Sequence, residues 1–449
     1  MKEKSGAICA CLLVLAIVAL TRLPFLTAGY GANVDAWRVA HVARVIAETG
    51  EYQVSRFPGN PVHEIICSWL RFGGPVALNG LSATFSVAAA LALWLIAREL
   101  QCRDTALLTL AFGATPIIFV NSVTTKDYIW AIAFVLWAFY AAMRQRPVIC
   151  GLLLGLAVGC RLTSGIMFLP LAMVLYGSNR GGNWRQRGSR FAIAAALTGT
   201  LMFLPVWMRY GWEFLTFYTH PLPSFITLVF RGTLEIWGAL GIAGLLIAFL
   251  SIFFFRRNAF PPAMPKPGNR FVIPALAATI LLYLFAFVRL PHQAGYLIPI
   301  IPAVLLFAAR FAPRRAFQIA CVCLFVAPWI DLTAGLPKAG PILADRAERI
   351  GTMRDVQQFV MLTEQALPTQ STVVVGAWEP ILSELFAAER LRHDYVYSLS
   401  RVEVAQVLAT GRGIAYTSDV IRGFNARIHG FDLARFGAVN LRQSLVGQP

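Results

Sequence analysis

The sequence predicts an all-α polytopic membrane bundle of about eleven transmembrane helices. Surface helices are expected in its first outer loop, and a small C-terminal α/β extracytoplasmic domain follows the bundle. Three observations predict this class. Of the 449 residues, 57% are hydrophobic and only 14% charged, and the mean hydropathy is +0.64. Apolar runs recur, most of them long enough to cross a hydrocarbon core. The basic residues gather in alternate loops, as cytoplasmic loops do.

The apolar runs place spans at 6–26, 75–97, 105–121, 127–143, 148–160, 162–177, 191–208, 236–255, 271–288, 295–312 and 316–333. The pair 148–177 is marked only by a turn near Arg161. Lys2 and Lys4, Arg98 and Arg103, Arg144 and Arg146, Arg180 to Arg190, Arg256 to Arg270, and Arg314 with Arg315 mark the cytoplasmic side. The N-terminus is then cytoplasmic in a plasma (inner) membrane. The loops 27–74, 121–126, 209–235 and 289–294 lie outside, and the C-terminal domain is extracytoplasmic. The net charge of +17 thus reports topology in a lipid bilayer and no nucleic-acid partner. The run after Met1-Lys2-Glu3-Lys4 has the outline of a signal peptide, but it leads into Thr21-Arg22-Leu23-Pro24 without a small-residue cleavage site. It reads as an uncleaved first span.

Six of the eight cysteines fall inside apolar spans, Cys67 lies in the first outer loop and Cys102 in an inner loop. They read as small buried hydrophobes, with no disulfide framework or metal spacing. The chain divides at about residue 333. Residues 1–333 form the transmembrane domain, and 334–449 the small α/β domain. In the latter, Ser371 to Val375 and Gly413 to Thr417 are strand-like, and Glu379 to Arg392 has helical periodicity. No glycine-rich phosphate fingerprint follows a strand, so this domain is assigned no cofactor and is expected to cap the outer mouth of a membrane site.

The first outer loop, 27–74, is too patterned for a connector. From Val34, the positions of Trp37, Ala40, His41, Arg44, Val45 and Glu48 give one apolar and one charged face. This predicts a helix from Asn33 to Thr49 lying flat on the membrane and stopped by Gly50. A second helix is expected over 62–72, after the turn Phe57-Pro58-Gly59-Asn60-Pro61. Together they would form a platform beside a lipid-facing groove.

Asp35 is the first candidate for chemistry. It either caps the helix start or serves as a general base at the water–lipid boundary, its pKa raised by apolar surroundings. Asp127, in Thr124-Thr125-Lys126-Asp127-Tyr128, is the second acid, with capping again the plain alternative. Glu64 is a further acid that solvation alone could explain, and His63 is either a phosphate contact or a surface residue. Arg289, His292 and Tyr296, between two spans and flanked by Pro291 and Pro299, offer donors to an anionic head group such as phosphate. Interfacial anchoring explains any one of them alone. Arg161 closes an apolar span, where a charge is costly and often functional.

These motifs, in this order, resemble the GT-C superfamily of membrane glycosyltransferases that use polyprenyl-phosphate-linked sugars. Protein O-mannosyltransferases and the aminoarabinose transferases of lipid A are examples. The resemblance covers roughly residues 1–310 and rests on four features. Asp35 lies in a long outer loop with surface helices, and Asp127 opens a span. Gly155 to Thr163 is similar to the family's glycine-bearing fifth span, and Arg289 to Pro302 to its basic, proline and Tyr-Leu-x-Pro stretch. It implies a lipid-linked sugar donor and inverting attack by an acceptor on the anomeric carbon. Asp35 would be the base, and Arg289, His292 and Arg161 would stabilise the departing lipid phosphate. A divalent metal could be held by Asp35 and Asp127, though two acids do not establish one. The first loop has Val34-Asp35 where many O-mannosyltransferases have paired Asp-Glu. The proline turn lacks the lysine of the aminoarabinose transferases, so Arg56 or His63 would substitute. Sugar and acceptor stay open. A transporter or lipid flippase is the alternative, favoured by mid-span charges and related halves that this sequence does not display. A scaffold acting through residues 334–449 is a third.

Overall fold

A computed structural model describes residues 2–177, 184–215, 223–254, 271–289, 293–333, 336–367, 369–387 and 389–416. Helices dominate. α1 (Lys2–Leu20) is separated from α4 (Gly74–Glu99) by two loop helices, α2 (Val34–Thr49) and α3 (Pro61–Leu70). Then come α5 (Thr105–Ala114), α6 (Pro116–Ser122), α7 (Tyr128–Met143), α8 (Pro147–Cys160), α9 (Phe168–Gly177) and α10 (Trp184–Tyr210). The short α11 (Phe225–Gly232) precedes α12 (Leu234–Phe254), α13 (Val272–Arg289), α14 (Ile300–Phe311) and α15 (Arg314–Val326).

The chain is a multi-pass membrane protein, but its helices are of two kinds. Among the described residues, five stretches are long and apolar enough to cross a bilayer, and α5 with α6, bent by 65°, makes a sixth. The bend falls at Pro116, which cannot donate a helical hydrogen bond and forces Thr115 out of the helical region. Helices α7, α8 and α14, and the stretch Leu162–Gly177, are apolar but shorter. The expected count of about eleven spans had treated both kinds alike. α7 is buried along nearly its whole length, so it meets other helices where a longer helix would meet lipid. The glycines of α8 allow α10 to approach closely. A Cβ on Gly151 would meet the Phe191 carbonyl oxygen at 2.5 Å, and one on Gly155 would meet Thr198 Cβ at 2.4 Å. Without a hydrophobic drive between helices in lipid, such small-residue contact is what holds a pair together.

The loop between α1 and α4 departs from expectation in one respect. α2 and its stop are where the pattern put them: Gly50 is left-handed at φ 72° and its N–H bonds to the Ile46 carbonyl. Its apolar face, however, is covered by protein. Val39, Ala40 and Ala43 pack on Cys67 and Leu78, and Trp37 enters the core of the C-terminal segment. At the end of α3, by contrast, Trp69, Leu70 and Phe72 are exposed.

The C-terminal segment opens with a short antiparallel pair, β1 (Ile330–Asp331) and β2 (Lys338–Ala339), then α16 (Pro341–Ala366). Strands β3 (Ser371–Val374), β4 (Asp394–Val396) and β5 (Gly413–Tyr416) form a parallel sheet in the order β4-β3-β5, with Thr372 opposite Asp394 and Ile414. α17 (Glu379–Leu385) is shorter than the helix expected to reach Arg392, while α16 and α18 (Arg401–Ala409) were not expected. Val356, Phe359 and Val360 of α16 pack with Val373, Val375 and Ile381 around Trp37. Two polar links reinforce this contact. Arg44 donates to Glu384 at 2.8 Å, and the fully buried Arg349 pairs with Asp345 while donating to the Phe25 and Val123 carbonyls.

Candidate active site

Both acids are free of the capping duty that would explain them away. Asn33 caps α2, its side-chain oxygen accepting from the Asp35 N–H at 2.8 Å. Asp127 stands at the N-cap of α7 but makes no side-chain cap bond. Each carboxylate instead turns to an arginine. Arg56 Nη1 donates to Asp35 Oδ2 at 2.5 Å and Arg56 Nη2 to Asp127 Oδ1 at 2.9 Å. Arg161 Nη1 donates to the second oxygen of Asp127 at 2.5 Å.

The chain of charges closes on itself. Gln293 Nε2 donates to Asp35 Oδ2 at 3.0 Å, and the Tyr128 hydroxyl donates to the Gln293 oxygen. The Tyr128 ring lies against Arg161, whose guanidinium carbon is 3.8 Å from its centroid and 4.6 Å from that of Tyr296. The circuit therefore runs Arg161, Asp127, Arg56, Asp35, Gln293, Tyr128 and back. Its members come from the end of α8, the start of α7, the α2–α3 turn, α2 and the segment before α14. Beside it, Arg161 lines a small, largely apolar pocket with Tyr128, Ile132, Val135, Tyr283, Tyr296 and Pro299.

The turn that carries Arg56 is braced by Glu64. That acid is fully buried, so solvation does not account for it. It accepts from the Ser55 N–H at 2.8 Å, the Ser55 hydroxyl at 2.6 Å, the Asn60 N–H at 3.1 Å and the Tyr52 hydroxyl at 2.5 Å. With its oxygens so occupied, it fixes the turn on either side of Arg56 and has no capacity to act as a base. His63 is also buried and is no surface residue. Its ring meets Trp130 edge-on at 4.9 Å, and Nε2 lies 3.7 Å from Cys67 Sγ.

The downstream trio divides. Tyr296 reaches the circuit through Arg161. Arg289 does not, because it ends α13 exposed, with its guanidinium over Phe285 at 5.7 Å. Arg161 and Arg56, expected alongside it, are the arginines of the circuit. His292 lies outside the described residues. Gln293 and Tyr128, which complete the circuit, carry no motif of their own. Only their neighbours Asp127 and His292 drew attention in the sequence.

Electrostatics contradict one expectation. Burial does push the Asp35 carboxyl up, but Arg56, the Gln293 hydrogen bond, Lys126 and Arg38 outweigh it and hold it below the ordinary carboxylate value. For the same reason the two carboxylates keep Arg56 protonated, raising its pKa well above the usual value despite burial. As to a metal, the Arg56 guanidinium bridges the two carboxylates that were to share one. Among the described residues no three His, Cys, Asp or Glu side chains are grouped as a ligand set.

Residues 73–208 match the family of dolichyl-phosphate-mannose-protein mannosyltransferases. The matched stretch contains Asp127, Tyr128 and Arg161 but not Asp35, Arg56 or Gln293. Among solved structures, the fold is similar to that of ArnT from Cupriavidus metallidurans in the apo state. The similarity covers 98% of this chain and 90% of that one, at 12% identity and a TM-score of 0.51. Two structures from Archaeoglobus fulgidus are more distant. An oligosaccharyltransferase tethered with an acceptor peptide matches at 14% identity and TM-score 0.42, over 83% of this chain and 62% of that one. The oligosaccharyltransferase AglB, in complex with an inhibitory peptide and a dolichol-phosphate, matches at 17% identity and TM-score 0.35, over 84% and 54%. No curated protein sequence matches the chain. The family match and the ArnT-like fold support a GT-C superfamily glycosyltransferase, in agreement with the resemblance seen in the sequence.

Proposed function

We propose that this protein transfers a sugar from a polyprenyl-phosphate-linked donor to an acceptor on the extracytoplasmic face, inverting the configuration at the anomeric carbon. The observation that carries the proposal is the meeting of Asp35 and Asp127, from separate loops, through Arg56 at one site. In the reaction, an acceptor O–H or N–H attacks the anomeric carbon and its proton passes to Asp35 Oδ1 or Oδ2. The bond from that carbon to the phosphate oxygen breaks, and the lipid phosphate leaves with the electron pair. Arg161, held between two tyrosine rings and Asp127, meets the charge that develops on the phosphate. Asp127 orients Arg56 and Arg161, one through each of its oxygens. The described part of the C-terminal segment packs beside this site through Trp37 and Arg349 and would cap it.

A general base held below the ordinary carboxylate value is ionised in the resting protein and is a weak base until its partners move. Donor phosphate competes for the same guanidinium groups, so donor binding would free Asp35 at the moment a base is needed. The test is sugar transfer by Asp35→Asn at unchanged expression, with a polyprenyl-phosphate-linked sugar as donor. Loss of at least about a hundredfold is expected for removal of a general base. Retained transfer overturns the assignment.

A further inference from the structure

Around the circuit every guanidinium is engaged. Arg56 bridges both acids, Arg161 pairs with Asp127, and Arg38 lies 3.5 Å from Asp35. Lys126 is the exception. It directly precedes Asp127, is half-buried, and its ammonium makes no ion pair or hydrogen bond among the described residues. The charges that face it are Asp35 on α2, Arg56 on the α2–α3 turn, its neighbour Asp127, Asp345 on α16 and Glu235 on α12. The first and third of these are paired to arginine, and so is Asp345.

The backbone that carries Lys126 is pinned on both sides. The Thr125 N–H donates to the Tyr30 carbonyl at 2.9 Å, and the Thr125 hydroxyl donates to Asn79 Oδ1 at 2.9 Å. Arg349 holds the Val123 carbonyl at 2.9 Å, and the Lys126 N–H closes on the Thr124 carbonyl at 2.8 Å. A fixed stem thus presents an unpartnered ammonium at the edge of an ion-paired site. Partly removing such a charge from water without a contacting counter-ion among the described residues is unfavourable, and an arriving anion relieves it. For Arg56 or Arg161 to bind the same anion, an existing charge-assisted bond must first break, with little net gain.

We propose that Lys126 is a phosphate-binding residue of this site, its ammonium taking a non-bridging oxygen of the donor's phosphate before the arginines are released from their carboxylates. The identity of the donor rests on the glycosyltransferase reading, whereas the ligand chemistry, a phosphate oxygen, rests on Lys126 and its surroundings.

The test uses the full chain in lipid nanodiscs, titrated with undecaprenyl phosphate, with undecaprenol and with inorganic phosphate as separate probes. Lys126→Met should weaken undecaprenyl phosphate binding by roughly ten- to a hundredfold, the loss of one hydrogen bond between charged groups. Lys126→Arg should stay within a few fold of wild type. Undecaprenol binding should not change, and neither should the thermal unfolding midpoint. Competition by inorganic phosphate that vanishes in Lys126→Met assigns the site to the phosphate group alone, while lipid-dependent binding without such competition assigns it to the lipid-anchored phosphate. Binding by Lys126→Met within twofold of wild type overturns the proposal and leaves the glycosyltransferase reading intact. If the wild-type chain fails to distinguish undecaprenyl phosphate from undecaprenol, the donor reading falls and this proposal falls with it.

Discussion

Arg56 is the residue on which the site turns, because two carboxylates from different loops share its guanidinium. Removing it leaves Asp35 beside Asp127 with one less cation, which disfavours the charged form of Asp35 and raises its pKa. The acid limb of kcat/KM in the wild-type protein should therefore lie below the usual carboxylate value of about 4. In Arg56→Met it should move up, with activity falling as pH drops through the new value. A pH–rate profile of both proteins measures this, and an unmoved limb would exclude Asp35 as the titrating base. Glu64 shows why residue type alone misleads. Its four donors identify a buried brace for the Arg56 turn, whereas in the sequence it is one more acid in a loop. Asp35 and Asp127 were legible as candidates because an acid beside an apolar run is rare here. Their partner Gln293 was not, since a neutral amide at a loop end carries no such signal.

Among the elements, the α8–α10 contact is the most exacting. Gly151, Gly155 and Gly159 lie at four-residue spacing along one face, and a Cβ on Gly159 would come within 2.5 Å of Val62 and 2.8 Å of Met202. Gly155→Leu would force the helices apart, and overpacking of this kind costs about 1–3 kcal/mol or more. α8 ends at Arg161, so the damage should extend to the site: the expected result is a lower thermal midpoint together with a weaker donor interaction. Unfolding in detergent and donor binding measured on the same preparation check both. The glycines were readable as a motif, but the identity of the helix they face was not, because spacing along one helix says nothing about which neighbour it meets. The same gap explains α2. Its period and its glycine stop were legible, yet an amphipathic face looks alike whether lipid or protein covers it. α16 went unseen because its mean character is polar, with Val356, Phe359, Val360 and Thr363 as its buried stripe.

At the scale of the whole molecule, Arg349 couples the C-terminal segment to the site. It is fully buried, joins α16 to the Phe25 carbonyl and, through the Val123 carbonyl, to the segment that carries Lys126 and Asp127. Arg349→Met strands the Asp345 carboxylate and two carbonyls. Breaking a buried pair from one side costs about 3–5 kcal/mol, so the thermal midpoint should drop by several degrees and transfer should fall with it. A variant with unchanged stability and transfer would show the C-terminal segment to be an independent appendage.

By itself the sequence determined the class of the protein: its apolar runs can be satisfied only inside a bilayer, and its basic loops alternate as membrane topology requires. It also determined which two acids were worth watching. Tertiary structure decided their meaning. It placed Asn33 as the cap, left both carboxylates to Arg56, kept Arg161 at the site while leaving Arg289 outside the circuit, and set Lys126, unpaired among the described residues, at its edge. Hydropathy and charge act along the chain and can be read in order, but an ion pair depends on distance between residues far apart in sequence, which only the packed bundle fixes.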